Sequence, residues 1–95
     1  MGGPVLTIAV GVRFDVELGA TPSTGYVWEL PSPPAGVDLL GSDFKLAPAA
    51  AIGDGGAQVF HLQIAHAGRF DLHFQLRRRW EAAPIETRVV EVDAR

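Results

Sequence analysis

The stretch VRFDVELGATPSTGYVWEL, residues 12–30, holds two strands and the corner between them. Val12, Phe14, Val16 and Leu18 alternate with Arg13, Asp15 and Glu17, the period-2 pattern of a strand with one face on a core and the other in water. Tyr26, Trp28 and Leu30 then alternate against Val27 and Glu29. Between the two runs stands TPSTG, which is turn chemistry: a proline that fixes φ, three hydroxyl residues and a glycine. An Asn-Gly pair would be enough to reverse a chain. A longer, constrained turn set directly beside two large aromatic side chains is expected to serve a purpose beyond reversal.

The same alternation extends outward in both directions. Leu6, Ile8 and Val10 oppose Val5, Thr7 and Ala9; Phe60, Leu62 and Ile64 oppose His61, Gln63 and Ala65; Phe70, Leu72, Phe74 and Leu76 oppose Asp71, His73 and Gln75. Further strands are expected from Val37 to Leu46, after the stiff PSPPAG connection, and from about Thr87 to Val92. No long segment shows the 3.6-residue period of an amphipathic helix, and APAAAIG (residues 47–53) has room for a single turn between Pro48 and Gly53. About seven short strands separated by turn signals predict an all-β chain, a single immunoglobulin-like antiparallel sandwich spanning residues 5–93. In that topology alternate connections gather at one end. TPSTG, AIGDGGA and RRRWEAAP are then expected to form one surface.

Composition narrows the chemistry. A chain of 95 residues with 47% hydrophobic side chains can build its own core. It has no cysteine, hence no disulfide, no thiol nucleophile and no zinc–thiolate site. A formal charge of −3 disfavours a general nucleic-acid binder. No apolar run reaches the roughly 20 residues that span a membrane. MGGPVLTIAV lacks the basic segment and apolar stretch of a signal peptide, so the chain as written reads as cytoplasmic, or as periplasmic or secreted if a signal has been removed.

Catalytic and metal constellations are missing from the pattern. Ser23 lacks the first glycine and the strand-to-helix context of a nucleophile elbow. GDGGAQ has neither the Lys-Ser/Thr nor the following helix of a phosphate loop, and reads as a hairpin loop. His61 and His73 would face each other if His66–Gly68 were a hairpin tip, yet two imidazoles without a third ligand make no zinc site; both are expected to face solvent. Arg77-Arg78-Arg79 beside Trp80 has the parts of a phosphate-and-base contact, but against an acidic chain it reads as a solvated loop, or as one whose arginines pair with nearby carboxylates. The expectation is a protein that is not an enzyme, with no cofactor, no metal and no nucleic-acid or membrane partner.

Three stretches together resemble the chagasin-like inhibitors of papain-like cysteine peptidases. TPSTGYVW is similar to the N-P-T-T-G-[YF]-x-W motif of that family: Pro22, Thr24, Gly25, Tyr26 and Trp28 coincide with it, while Ser23 replaces a threonine and Thr21 an asparagine. Gly53-Asp54-Gly55-Gly56 matches G-x-G-G. Arg78-Arg79-Trp80 stands where the family has R-P-W, with Arg79 in place of the proline. Losing that proline removes a constraint worth roughly 0.4–1 kcal/mol through the unbound ensemble. The resemblance implies a reversible, non-covalent inhibitor that fills the peptidase cleft with loops 21–26, 53–56 and 77–81. Thr24 would lie over the catalytic cysteine and histidine of the enzyme, with Gly53–Gly56 and Trp80 gripping either side.

Physical roles follow for individual residues. Trp80, in a polar loop, is the expected anchor, worth about 2–4 kcal/mol, unless its indole folds back over the sandwich edge. Trp28, on a strand, is expected in the core. Gly53–Gly56 would supply adaptable backbone, and Arg77 and Arg78 would steer the approach to an acidic rim. The partner is thus expected to be a papain-like cysteine peptidase bound by a monomer. The alternative is an immunoglobulin-like binding module that uses the same loops on a partner other than a peptidase.

Overall fold

A computed structural model describes residues 5–20, 24–46 and 56–95. Seven strands follow in order: β1 (Val5–Ile8), β2 (Phe14–Ala20), β3 (Tyr26–Glu29), β4 (Val37–Leu46), β5 (Gly56–Ile64), β6 (Gly68–Arg78) and β7 (Glu86–Ala94). Among the described residues there is no α-helix, as the absence of any 3.6-residue period predicts. The strands form two sheets, one ordered β1-β7-β6-β3 and the other β2-β5-β4. Stacked face to face they make an open sandwich of immunoglobulin-like type. The APAAAIG segment lies outside the described residues.

The core is what the alternation dictates. Val16 and Leu18 from β2, Phe60, Leu62 and Ile64 from β5, Leu72 and Phe74 from β6, and Val92 from β7 are all buried, together with Trp28, Leu30 and Val37. Phe60 and Phe74 meet across the sheets with ring centroids 4.9 Å apart and planes tilted by 54°. Each large side chain taken out of water here contributes about 1.5–3 kcal/mol, which offsets the entropy of ordering the strands.

Two features differ from the expected pattern. First, β1 pairs with β7 in parallel, Val5 opposite Glu91 and Ile8 opposite Ala94. Strands from opposite ends of the chain need no tight turn between them, so nothing forces the antiparallel sense. Alternation also stops at Ile8, and residues 9–13 turn before β2 begins. Second, β5 and β6 belong to different sheets, so the 65–67 connection crosses the sandwich instead of closing a hairpin. His61 and His73 therefore do not face each other. His61 lies on the outer face of its sheet, with Nδ1 2.7 Å from Asp15 Oδ1 and Nε2 2.7 Å from Asp43 Oδ2.

Register aligns the loop-bearing ends. Gly56 is opposite both Ala20 and Leu46, which puts the end of β2, the end of β4 and the start of β5 at one level. In the other sheet Tyr26 is opposite Arg78, joining the start of β3 to the end of β6. The chain that leaves β2 enters β3 directly after residue 25, so these two levels lie at the same end of the sandwich.

Candidate functional site: one end of the sandwich

Trp28 supplies the foundation. Its side chain is 2% exposed, and its indole Nε1 donates to the Gly19 carbonyl at 2.8 Å, tying β3 to β2. The strand β3 is an edge of its sheet and would leave backbone groups unpaired inside the sandwich. Gln58 on β5 satisfies them. Trp28 N–H donates to Gln58 Oε1 at 2.8 Å, and Gln58 Nε2 donates to the Trp28 carbonyl at 2.7 Å. One amide side chain thus takes the place of a neighbouring strand, and it is the one buried polar side chain among the described residues. Gln58 went unread in the sequence, although it continues the inward set Phe60, Leu62, Ile64 by one step of two.

Above this base, Gly25 turns the chain at φ +81°, a conformation that costs any residue with a Cβ about 1–2 kcal/mol. A Cβ at this position would also stand 3.3 Å from Trp80 Cη2. The glycine therefore lets the indole approach the backbone. Tyr26 N–H donates to Thr24 Oγ1 at 3.3 Å, a hydroxyl-closed turn that brings Thr24 back over the strand.

Arg78 joins this turn to the β6–β7 loop. Its Nε donates to the Thr24 carbonyl at 3.2 Å, and its guanidinium lies 4.4 Å from the Tyr26 ring centroid and 5.8 Å from that of Trp80. Glu81 Oε1 is 3.9 Å from Arg78 Nε, a charge contact without a hydrogen bond. Arg77 braces the other side: its Nε donates to Glu29 Oε1 and its Nη1 to the Glu81 carbonyl at 2.7 Å. The Gln75 amide, then the Arg77 guanidinium, hold the Glu29 carboxyl below its ordinary range. Glu81 N–H closes a turn onto the Arg78 carbonyl at 3.0 Å, and Ile85 N–H returns to the Leu76 carbonyl at 2.8 Å.

The outcome for the expected site residues is uneven. Thr24, Gly25, Tyr26, Arg78 and Trp80 come together at one end of the sandwich. Trp80 projects from it, 74% exposed, touching Gly25 at one edge and not folded over the sheet. Arg79 is exposed and has no ion pair or hydrogen bond among the described residues. Gly56 is the first residue of β5. Thr21, Pro22, Ser23, Gly53, Asp54 and Gly55 lie outside the described residues. Arg77 and Arg78, expected to steer a partner, also brace this end of the sandwich through contacts within the chain, with side chains 30% and 37% exposed. No group of three or more His, Asp or Glu side chains suited to a metal is present among the described residues.

The surface consists of a hydroxyl-closed turn, an exposed indole and two arginines that hold them together, an arrangement suited to shape recognition.

The sequence matches the family described as Chagasin family peptidase inhibitor I42 over residues 7–92. It is 26% identical over 83 residues to Chagasin of Trypanosoma cruzi, which covers 82% of this chain and 76% of that protein. The crystal structure of the cysteine protease inhibitor EhICP2 from Entamoeba histolytica superposes with a TM-score of 0.75 at 22% identity, covering 96% of this chain and 85% of the other. The solution structure of Amebosin gives 0.72 at 22% identity, covering 99% and 90%. At such identities the structural likeness is one of fold, whereas the family match runs through nearly the whole sequence. The chain belongs to the chagasin family of peptidase inhibitors.

Proposed function

We propose that this protein is a reversible, non-covalent inhibitor of papain-like cysteine peptidases, acting as one domain of residues 5–93 that enters the active-site cleft with loops 21–26, 53–56 and 77–81. The observation that carries this reading is the joining of the Thr24–Tyr26 turn to the exposed Trp80 through Arg78 and Gly25. That junction arranges the two loops before any partner arrives. A pre-ordered loop loses less entropy on docking, and this favours binding without covalent chemistry. Thr24 would stand over the enzyme's catalytic cysteine and histidine. Trp80 would fill an apolar slot beside them, and Gly53–Gly56 would close the other side.

Protease–inhibitor contacts bury about 800 Å² on each partner, a demand that three neighbouring loops can meet. Chemistry supports reversibility: no side chain of the site residues is an electrophile that a thiolate could attack. The partner is a cysteine peptidase, and the binding unit is a monomer.

Titration of papain and of a cathepsin L-type peptidase with the purified protein, using a fluorogenic substrate and trypsin as control, tests this. Inhibition of the cysteine enzymes alone, recovered on dilution and weakened by 30-fold or more in a folded Trp80→Ala variant, corresponds to about 2 kcal/mol and is the expected result. Absence of inhibition at micromolar concentrations of folded protein would overturn it.

A further inference from the structure

The three consecutive arginines, two ending β6 and one opening the β6–β7 loop, have different surroundings. Arg77 is paired with Glu29 and with the Glu81 carbonyl. Arg78 is held by the Thr24 carbonyl, the Tyr26 ring and the Glu81 carboxylate. Both are half-buried, and both have a carboxylate of this chain against them. Arg79 is exposed, has no such partner among the described residues and directly precedes the 74% exposed Trp80. The positive charge at the tip of this loop is therefore that of Arg79. It stands on a chain whose formal charge is −3, so it is a local cation on an acidic molecule.

An exposed indole and a free guanidinium side by side read a composite feature: an apolar slot with a carboxylate on its rim. Planar guanidinium groups suit carboxylates because two N–H donors can meet two oxygens at once. Arg77 and Arg78 cannot serve this way without abandoning the contacts that hold the loop.

We infer that Arg79 is a specificity-determining residue, selecting peptidases whose cleft carries an acidic side chain beside the slot that receives Trp80. The inference rests on the inhibitory reading above and adds the chemistry of the preferred target. It also predicts how the preference is expressed. A charge at the rim of an interface acts chiefly on the association rate and its salt dependence. The net negative charge of the chain adds to this, because it weakens general encounter with acidic enzymes and leaves more for a cation at the docking loop to do.

The test is the association rate of the wild type, Arg79→Gln and Arg79→Glu with papain-like peptidases, measured from inhibition progress curves at low and high salt. Each enzyme is used as such and with its rim Asp and Glu residues replaced by Asn and Gln. With an acidic-rimmed enzyme at low salt, Arg79→Gln is expected to slow association about threefold and Arg79→Glu about tenfold. The differences should shrink at high salt, where charges beyond a few ångströms are screened. Neutralising the enzyme's rim should abolish them. Wild-type inhibition with both variants associating within about twofold of it at every salt would refute the role of Arg79 and leave the inhibitory reading standing. Failure of the wild type to inhibit any of these enzymes would remove both.

Discussion

Replacing Gln58 with leucine should be among the most damaging single changes available in this protein. The substitution keeps approximate volume but deletes both hydrogen bonds to Trp28. The losses do not end at the bonds, because Gln58 is 4% exposed and water cannot easily replace it. The Trp28 N–H and carbonyl would both be left buried without partners, at about 1–3 kcal/mol each. Partial relaxation reduces the sum to roughly 2–5 kcal/mol, a large part of the typical 5–15 kcal/mol stability of a domain. Gln63 provides an internal control. It lies on the same strand but on the outer face, where its Nε2 donates to the Gly11 carbonyl at 2.6 Å in reach of solvent. Gln63→Leu should cost no more than about 0.5–1.5 kcal/mol. Urea unfolding of both variants separates the two positions. With an m-value of about 1–1.5 kcal/mol/M for a chain of this size, the midpoint for Gln58→Leu falls by roughly 1.3–5 M, with the slope unchanged. Equal losses at the two positions, or a loss below about 1 kcal/mol at Gln58, would refute the idea that this amide stands in for a missing strand.

Gly25→Ala combines a left-handed backbone with a contact 3.3 Å from Trp80 Cη2. It should cost about 1–2 kcal/mol and lower Tm by roughly 4–8 °C for each kcal/mol, readable by calorimetry; an unchanged Tm would show that the turn has another low-energy form. The His61 cluster predicts a pH dependence. Hydrogen bonds to Asp15 and then Asp43 raise the His61 pKa above its ordinary 6.5, with Arg13 opposing, and the bond to His61 lowers that of Asp15 below 3.8. The histidine's contribution is full below its unfolded pKa and is lost as pH rises through the raised value. That of Asp15 is present above its unfolded pKa and is lost as pH falls through the lowered one. The stability difference between wild type and His61→Gln, from urea titrations across pH, should therefore be largest in weakly acidic solution and shrink on the alkaline side. A difference that stays flat across neutrality would contradict it.

The strands could be read in the sequence because most have one face on a core. Val16 and Leu18, Phe60 to Ile64, and Leu72 and Phe74 announce themselves by alternation, and all are buried. Alternation assigns a face, however, and not a sheet or a direction. It therefore does not reveal the parallel β1–β7 pair, nor that the crossover between β5 and β6 rules out the hairpin on which a facing His61 and His73 would depend. The register shift between Leu39 and Gly41 in β4 was equally invisible. Within the site, Gly25 and the emergence of Trp80 could be anticipated from turn chemistry and loop polarity. The division of labour in Arg77-Arg78-Arg79 could not, because the partners of the first two, Glu29 and Thr24, lie 48 and 54 residues away in the chain. Gln58 was overlooked for a simpler reason: a lone amide reads as solvent-facing until the strand around it is extended.

The two tryptophans of this chain occupy opposite environments. Trp28 is sealed in the core, its indole N–H held by the Gly19 carbonyl, and Trp80 stands in water at the tip of the site. The protein thus carries two intrinsic fluorophores that report on separate events. Emission from Trp28 should be blue-shifted and shielded from iodide, changing only when the sandwich opens. Emission from Trp80 should be red-shifted and readily quenched, and it should lose that access when a partner covers the loop. Single-tryptophan variants would let unfolding and docking be followed in one cuvette without any added label.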